Sequence, residues 1–86
     1  MIKVPFCYKV WGLSVDEEGN EDYGYVRVNL EAKEKPDKEI YKKLHKAFSK
    51  NIPFGENVEL IDVEEYIKNQ DLTEEEIQLL MEYKDM

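Results

Sequence analysis

Cysteine and histidine are nearly absent from this 86-residue chain, which contains only Cys7 and His45. One cysteine cannot form an internal disulfide, and these two residues are too few for a zinc site built from such ligands. No uncharged stretch approaches the roughly 20 apolar residues that cross a bilayer, so no membrane segment is expected. The N-terminal residues lack the features of a secretory signal, and a lone cysteine is typical of the cytoplasm.

Positive charge is also in short supply, because 12 Lys and Arg face 20 Asp and Glu, for a net charge of −8. Apolar residues make up 42% of the chain, which is enough for a hydrophobic core. No repeat or flexible linker divides the sequence. Residues 1–86 are therefore expected to form one small domain of marginal stability, which dimerisation would supplement.

Two runs rich in β-branched and aromatic residues, 4–15 and 23–32, predict a β-hairpin. A two-residue turn at Gly19-Asn20 would pair Trp11 with Val28 and Leu13 with Val26. Helices would cover the face that these four residues share with Cys7, Lys9, Val15, Leu30 and Ala32. The like charges opposed near the tip favour a longer, open loop there.

The second half of the chain predicts helices and a short third strand. Pro36 fits the first position of an amphipathic helix with a lysine-rich polar side. Residues 57–61 are predicted as a strand, Asp62 as the cap of a short helix, and Thr73 with Glu76 as a capping box for residues 74–84. A right-handed crossover gives the sheet order 2-1-3. The expected α+β fold has a small antiparallel sheet packed on two main helices and one short helix.

No pattern of residues predicts catalysis, a cofactor or a metal site. Ser14 and Ser49 lack a nucleophile motif, and the four glycines form neither a P-loop nor a dinucleotide fingerprint. Cys7 falls on the predicted core face, and His45 lies on a helix flank without further ligands. The acidic run at 16–22 lacks the glycine that a calcium loop requires. A non-enzymatic protein is expected, and no motif identifies a family.

Acidic residues crowd the predicted hairpin tip, where folding gains nothing from them. Carboxylates at helix N-termini complement the helix dipole, whereas those at a hairpin tip repel one another. The tip residues are Asp16, Glu17, Glu18, Glu21 and Asp22. Solubility and edge protection are the plainer explanation. The more specific explanation is that the protein is an inhibitor. Its acidic tip would occupy a cationic, nucleic-acid-binding site on a partner protein, as phage or mobile-element anti-restriction and anti-CRISPR proteins do.

Two other functions are compatible with the sequence. The C-terminal helix has an apolar stripe wider than one packing face needs, which suits a structural or regulatory homo-oligomer. That stripe comprises Ile77, Leu80, Met81 and Tyr83. The second alternative is direct nucleic-acid binding through the lysine-rich helix, using Lys35, Lys42, Lys43, Lys46 and Lys50. It is less favoured, since the lysines have no interleaved aromatic or arginine residues.

Overall fold

The computed structural model describes residues 1–15, 17–19, 21–52 and 57–86, and among these it leaves out the side chains of residues 13–15 and 21. The elements are β1 (Ile2–Val15), β2 (Glu21–Ala32), α1 (Lys38–Phe48), β3 (Asn57–Leu60), α2 (Val63–Asn69) and α3 (Glu74–Met81). A 3-10 turn at Ser49–Asn51 continues α1. The strands form an antiparallel sheet in the order β2-β1-β3. The predicted α+β fold and strand order are therefore confirmed.

β1 forms the centre of the core. Its consecutive residues Val4, Pro5, Phe6, Cys7 and Tyr8 are all buried. Successive side chains of a strand point to opposite faces of the sheet, so an unbroken buried run means that both faces are covered.

The helices cover the two faces of the sheet separately. α1 packs on the face that carries Phe6, whose ring stacks on Tyr41 with 4.7 Å between centroids and meets Phe48 edge to face at 5.2 Å. Arg27 of β2 pairs with Cys7 and so lies on the opposite face. α2 and α3 reach that face, since the Arg27 guanidinium contacts the ring of Tyr66 and the carboxylate of Glu76.

Tyrosine side chains, and not a neighbouring strand, donate hydrogen bonds to the backbone carbonyls in the first half of β1. Among the described residues β3 pairs only with residues 8–11, so within them the edge of β1 before Tyr8 has no neighbouring strand on that side. The Tyr41 hydroxyl donates to the Pro5 carbonyl at 2.6 Å, and the Tyr83 hydroxyl to the Lys3 carbonyl at 3.4 Å. Proline suits this position because it has no N–H to leave unpaired at an edge.

The predicted hairpin register is wrong by five residues, because Trp11 pairs with Tyr23 and not with Val28. The connection between the strands is longer than a two-residue turn, and the register shifts between Trp11 and Val15, where Gly12 adopts a positive φ of 83°. A slip by an odd number of residues exchanges the two faces of a strand.

The residues predicted to share one core face lie on both faces of the sheet. Val26 and Val28 lie opposite Tyr8 and Phe6, on the face that α1 covers. Trp11 lies on the other face. The side chains of Leu13 and Val15 fall outside the described residues.

The helix starts follow their caps. The carboxylates of Asp37 and Asp62 and the hydroxyl of Thr73 each accept a hydrogen bond from the backbone N–H three residues later. The caps predicted at Asp62 and Thr73 are confirmed. Pro36 is not the first helical residue as predicted, because Asp37 is the N-cap and α1 begins at Lys38. α3 ends at Met81, three residues earlier than predicted, and continues as turns.

Candidate partner-binding surface at the end of the hairpin

The β1–β2 hairpin runs the length of the molecule. A strand of 14 residues spans about 45 Å, which matches the longest dimension of 46 Å. The hydrogen bonds that α1 and the turns after α3 make to β1 fall between Lys3 and Tyr8, and β3 begins opposite Trp11. In the described part of the chain, the hairpin beyond Trp11 has no third strand beside it, so its end projects from the helical part of the fold.

The projecting end carries the described members of the acidic group. Glu17 and Glu18 lie exposed in the connection, and Asp22 lies exposed at the start of β2. The Asp22 carboxylate accepts a hydrogen bond from the backbone N–H of Tyr23 at 2.9 Å. Asp16 lies outside the described residues, and Glu21 is described only through its backbone, which pairs with Val15. The structure therefore brings Glu17, Glu18 and Asp22 to one end of the hairpin.

A group of aromatic rings with a lysine, the hairpin aromatic cluster, lies next to this acidic end. It consists of Lys9, Trp11, Tyr23 and Tyr25. The rings of Trp11 and Tyr23 are 4.9 Å apart, and Tyr25 meets Tyr23 edge to face at 5.9 Å. Lys9 Nζ lies 4.4 Å from the Trp11 ring centroid and 4.2 Å from that of Tyr23, which places one cation over two rings.

The cluster is accessible to a partner. Tyr23 is 46% exposed, and Lys9, Trp11 and Tyr25 are half-buried. Trp and Tyr are enriched in protein interfaces because they bury a large area at a small cost in side-chain entropy. An aromatic centre beside a carboxylate-rich rim is suited to a surface rich in Lys and Arg.

The apolar stripe predicted for self-association is largely used inside the monomer. Leu80 is fully buried and Tyr83 is 3% exposed, and the Tyr83 ring stacks on Tyr41 at 5.6 Å. Ile77 is half-buried, whereas Met81 is 43% exposed. Two of the four residues of the predicted free surface therefore pack in the core, and the stripe is not an exposed dimer face.

The lysine-rich surface is confined to α1 and the turn after it. Lys42, Lys43, Lys46 and Lys50 are exposed there. Lys35 does not join them, because its ammonium donates to the Glu82 carbonyl at 2.7 Å and lies 5.0 Å from the Tyr83 ring centroid.

Cys7 and His45 both serve the fold. Cys7 is 1% exposed, and burial raises the pKa of its thiol to about 12, so the thiol stays protonated and unreactive at neutral pH. His45 Nε2 lies 2.8 Å from the Cys7 carbonyl oxygen. Because a carbonyl can only accept, this hydrogen bond assigns the proton to Nε2.

A cleft of about 260 Å³ opens between α1 and the start of α2. Among its lining residues, Tyr41 donates to the Pro5 carbonyl, His45 to the Cys7 carbonyl, and the Asp62 carboxylate caps α2. The polar groups named here are already engaged in holding the edge of β1 and the first turn of α2. The cleft is therefore explained by the fold, and its chemistry does not define a substrate.

Three comparisons with known proteins, against family models, curated sequences and solved structures, find no match. No helix in the described ranges is long and apolar enough to cross a bilayer. The surface at the end of the hairpin is therefore interpreted from its own chemistry.

The sequence located the acidic residues but missed the aromatic cluster. The register predicted from the sequence places Trp11 opposite Val28 and puts Lys9 on the predicted core face. In the observed register Trp11 lies opposite Tyr23 and Lys9 opposite Tyr25. The available signal was the alternation of Tyr23 and Tyr25 along one strand face, which puts both rings on the side of Trp11 once the register is known.

Proposed function

We propose that the protein is a non-enzymatic binding module whose hairpin end occupies a cationic, nucleic-acid-binding site on a partner protein. The observation that carries this proposal is the placement of three exposed carboxylates, Glu17, Glu18 and Asp22, beside the hairpin aromatic cluster. An inhibitor of the anti-restriction or anti-CRISPR kind would act in this way, by taking the place of nucleic-acid phosphates. The cytoplasm is the proposed compartment.

The two groups of side chains have different roles toward a basic surface. Carboxylates attract Lys and Arg over roughly 8–10 Å at ordinary ionic strength and increase the association rate. The aromatic faces act at contact, where an arginine or lysine stacks over Trp or Tyr. Lys9 occupies that position over Trp11 and Tyr23 within the chain, so an arginine from a partner would compete with it.

Trp11 provides a local reporter for the test, because it is the only tryptophan of the chain. We expect an octa-arginine peptide, which has no fluorescence of its own, to change the emission of Trp11 on binding. Stopped-flow measurement of this signal gives the association rate, which should fall steeply with added salt. The combined substitution Glu17→Gln, Glu18→Gln and Asp22→Asn should lower that rate by about tenfold or more at low salt.

The matched control removes three exposed carboxylates away from the hairpin end, through Glu34→Gln, Glu39→Gln and Glu82→Gln. Both triple variants have the same net charge, so a general attraction of the polycation to an acidic protein would weaken equally in both. Equal rates for the two variants would refute the hairpin end as the binding surface.

A second experiment uses a basic DNA-binding domain as the probe. Duplex DNA should displace the protein from this domain, and simultaneous binding of the DNA and the protein would refute occupation of the nucleic-acid site.

Nucleic-acid binding through α1 is the second candidate, because Lys42, Lys43 and Lys46 are exposed on one helix. A labelled single-stranded or duplex DNA should then bind at low salt and be released as salt increases. The triple Lys→Gln variant at these positions should abolish that binding. No binding of wild type at low salt eliminates this candidate.

A further inference from the structure

The outer edge of β2 has no neighbouring strand among the described residues. In an antiparallel sheet, alternate residues bond to opposite neighbours. The Cys7 carbonyl accepts from Ile61 on the β3 side, and the Lys3 and Pro5 carbonyls point the same way. Even-numbered residues of β1 and of β2 therefore bond to each other. The backbone groups that point outward from β2 belong to Tyr23, Tyr25, Arg27, Asn29 and Glu31.

This edge lacks most of the features that keep natural edge strands from pairing, and the inward-facing charge of Arg27 is the exception. Such strands are short, or are interrupted by bulges, proline or lysine. β2 has 12 residues and contains neither proline nor lysine. Its register with β1 is continuous from Tyr23 to Ala32, and the irregularity of the hairpin lies beyond that segment. A long, regular edge is a template for an added strand.

We propose that the added strand is β2 of a second copy of this chain. The two strands pair antiparallel about a two-fold axis at Val28 and join the sheets into one of six strands, in the order β3-β1-β2-β2-β1-β3. This contact is distinct from the C-terminal stripe, and it leaves the acidic hairpin end outside the paired segment, although Tyr23 and Tyr25 belong both to β2 and to the hairpin aromatic cluster.

The register centred on Val28 is self-complementary. Val28 faces its own copy, and Val26 faces Leu30, so apolar side chains that are half-buried in the monomer meet across the axis. The other pairs within β2 are Arg27 with Asn29, Tyr25 with Glu31 and Gly24 with Ala32. No like charges are opposed along this segment.

Other two-fold registers are less favourable. An axis at Arg27 opposes two guanidinium groups. An axis at Tyr25 puts Val28 opposite Asp22. An axis at Asn29 shortens the paired segment to residues 26–32. The axis at Val28 therefore combines a long overlap with matched side chains.

The charge of the contact segment permits self-association even though the chain carries −8. Residues 23–33 contain two cations, Arg27 and Lys33, and one carboxylate, Glu31. Repulsion between copies comes from the acidic residues elsewhere and is screened by salt. Dimerisation should therefore strengthen as salt increases, whereas binding to a cationic partner weakens.

A contact formed by one strand pair is small for a protein interface, so we expect dissociation constants in the micromolar range. Sedimentation equilibrium over micromolar to millimolar concentrations should show a reversible monomer–dimer exchange. A monomer at every concentration, at both low and high salt, overturns the proposal. In that case an extended peptide of a partner would be the remaining candidate for this edge.

Substitutions at Asn29 test the register, because its exposed side chain faces Arg27 of the second copy. Asn29→Asp should tighten the dimer and Asn29→Lys should weaken it, each by on the order of 3–10-fold. General repulsion between acidic chains predicts the reverse, since Asn29→Asp makes the chain more negative. The reverse order of affinities, or no difference between the variants, overturns this register.

A covalent trap gives an independent test. Residues directly opposed in a non-hydrogen-bonded pair have Cα atoms about 4.5 Å apart, which is within the range of a disulfide, about 4.4–6.8 Å. Val28→Cys should therefore form a covalent dimer under mild oxidation. Leu30→Cys is the control, because it faces Val26 and not itself, and the native Cys7 is buried. Equal cross-linking of both variants contradicts an axis at Val28.

Discussion

Arg27 of β2 and Glu76 of α3 form an ion pair between residues 49 positions apart, with Nη2 and Oε2 separated by 3.0 Å. The Arg27 side chain is 21% exposed, and its guanidinium lies 5.7 Å from the Tyr66 ring centroid. Its other terminal nitrogen, Nη1, is buried without a hydrogen-bond partner in the described part of the chain. Glu76 therefore compensates a largely desolvated charge and ties α3 to the sheet.

Glu76→Gln should lower the free energy of unfolding at neutral pH and make that free energy less dependent on pH in the acidic range. The hydrogen bond from Arg27 holds the pKa of Glu76 below its ordinary value of 4.5. A carboxyl whose pKa is lowered by folding contributes stability above its unfolded value and loses it as the pH falls through the native value. In urea unfolding, wild type and Glu76→Gln should therefore differ at neutral pH and converge below pH 4.5.

Glu75→Gln is the matched control, because Glu75 is an exposed carboxylate in the same first turn of α3. Both substitutions remove one charge near the helix N-terminus. Among the described residues, however, only Glu76 forms an ion pair with Arg27. A constant difference between wild type and Glu76→Gln across the acidic range would contradict the assignment. So would an equal loss of stability in the two variants.

Local elements could be predicted from the sequence, whereas the hairpin register could not. The cap at Thr73 depends on residues within three positions of each other, so its spacing is visible in the sequence. The register depends on which glycine departs from the strand, and both Gly12 and Gly19 adopt positive φ. A two-residue turn at Gly19 is the simplest choice, but the connection after Val15 is longer than that, and extra residues of β1 between Trp11 and Val15 add to the shift of the pairs from Ile2 to Trp11.

The candidate binding surfaces also depend on contacts between residues that are distant in the sequence. Glu17 and Glu18 belong to the connection in any register, whereas the contact of Trp11 with Tyr23 requires the correct one. The C-terminal stripe looked too wide because the sequence does not reveal that β3 ends at Leu60. The edge of β1 that this short strand leaves open is covered by tyrosines, and Tyr83 is one of them.

Gly12→Ala should lower the free energy of unfolding by about 1 kcal/mol, because a side chain at positive φ is strained. The φ of Gly12 is 83°, and an added Cβ would meet nothing within 4 Å, so backbone strain is the expected cause. Gly12→Asn should cost less, since asparagine tolerates this region. Equal losses for Ala and Asn in urea unfolding would point to a cause other than backbone strain.

Tyr41→Phe should lower the free energy of unfolding by about 1–3 kcal/mol, because it leaves the buried Pro5 carbonyl without its donor. Tyr83→Phe provides the comparison, since its hydroxyl lies 3.4 Å from the Lys3 carbonyl, beyond the usual O–H···O distance. We expect a smaller loss there, about 0.5 kcal/mol. Urea unfolding at neutral pH measures both, and an equal or larger loss for Tyr83→Phe would contradict the role of Tyr41 as the main cap of this edge.

The protein should lose stability progressively in alkali. Burial raises the pKa of the Cys7 thiol from 9.0 to about 12, and burial likewise raises the pKa of the Tyr8 and Tyr41 hydroxyls above 10.0. Above pH 9 the unfolded chain releases protons that the native state keeps, so the unfolded state binds fewer protons and stability falls as the pH rises.

Cys7→Ala separates the thiol from the tyrosines in this alkaline loss. The substitution removes the group with the lowest unfolded pKa, so the decline should begin nearer pH 10 than pH 9. The comparison uses the slope of the unfolding free energy against pH, because the smaller side chain also lowers stability at every pH. An unchanged slope between pH 9 and pH 10 in Cys7→Ala would show that the thiol does not titrate on unfolding, and would contradict its burial as a neutral group.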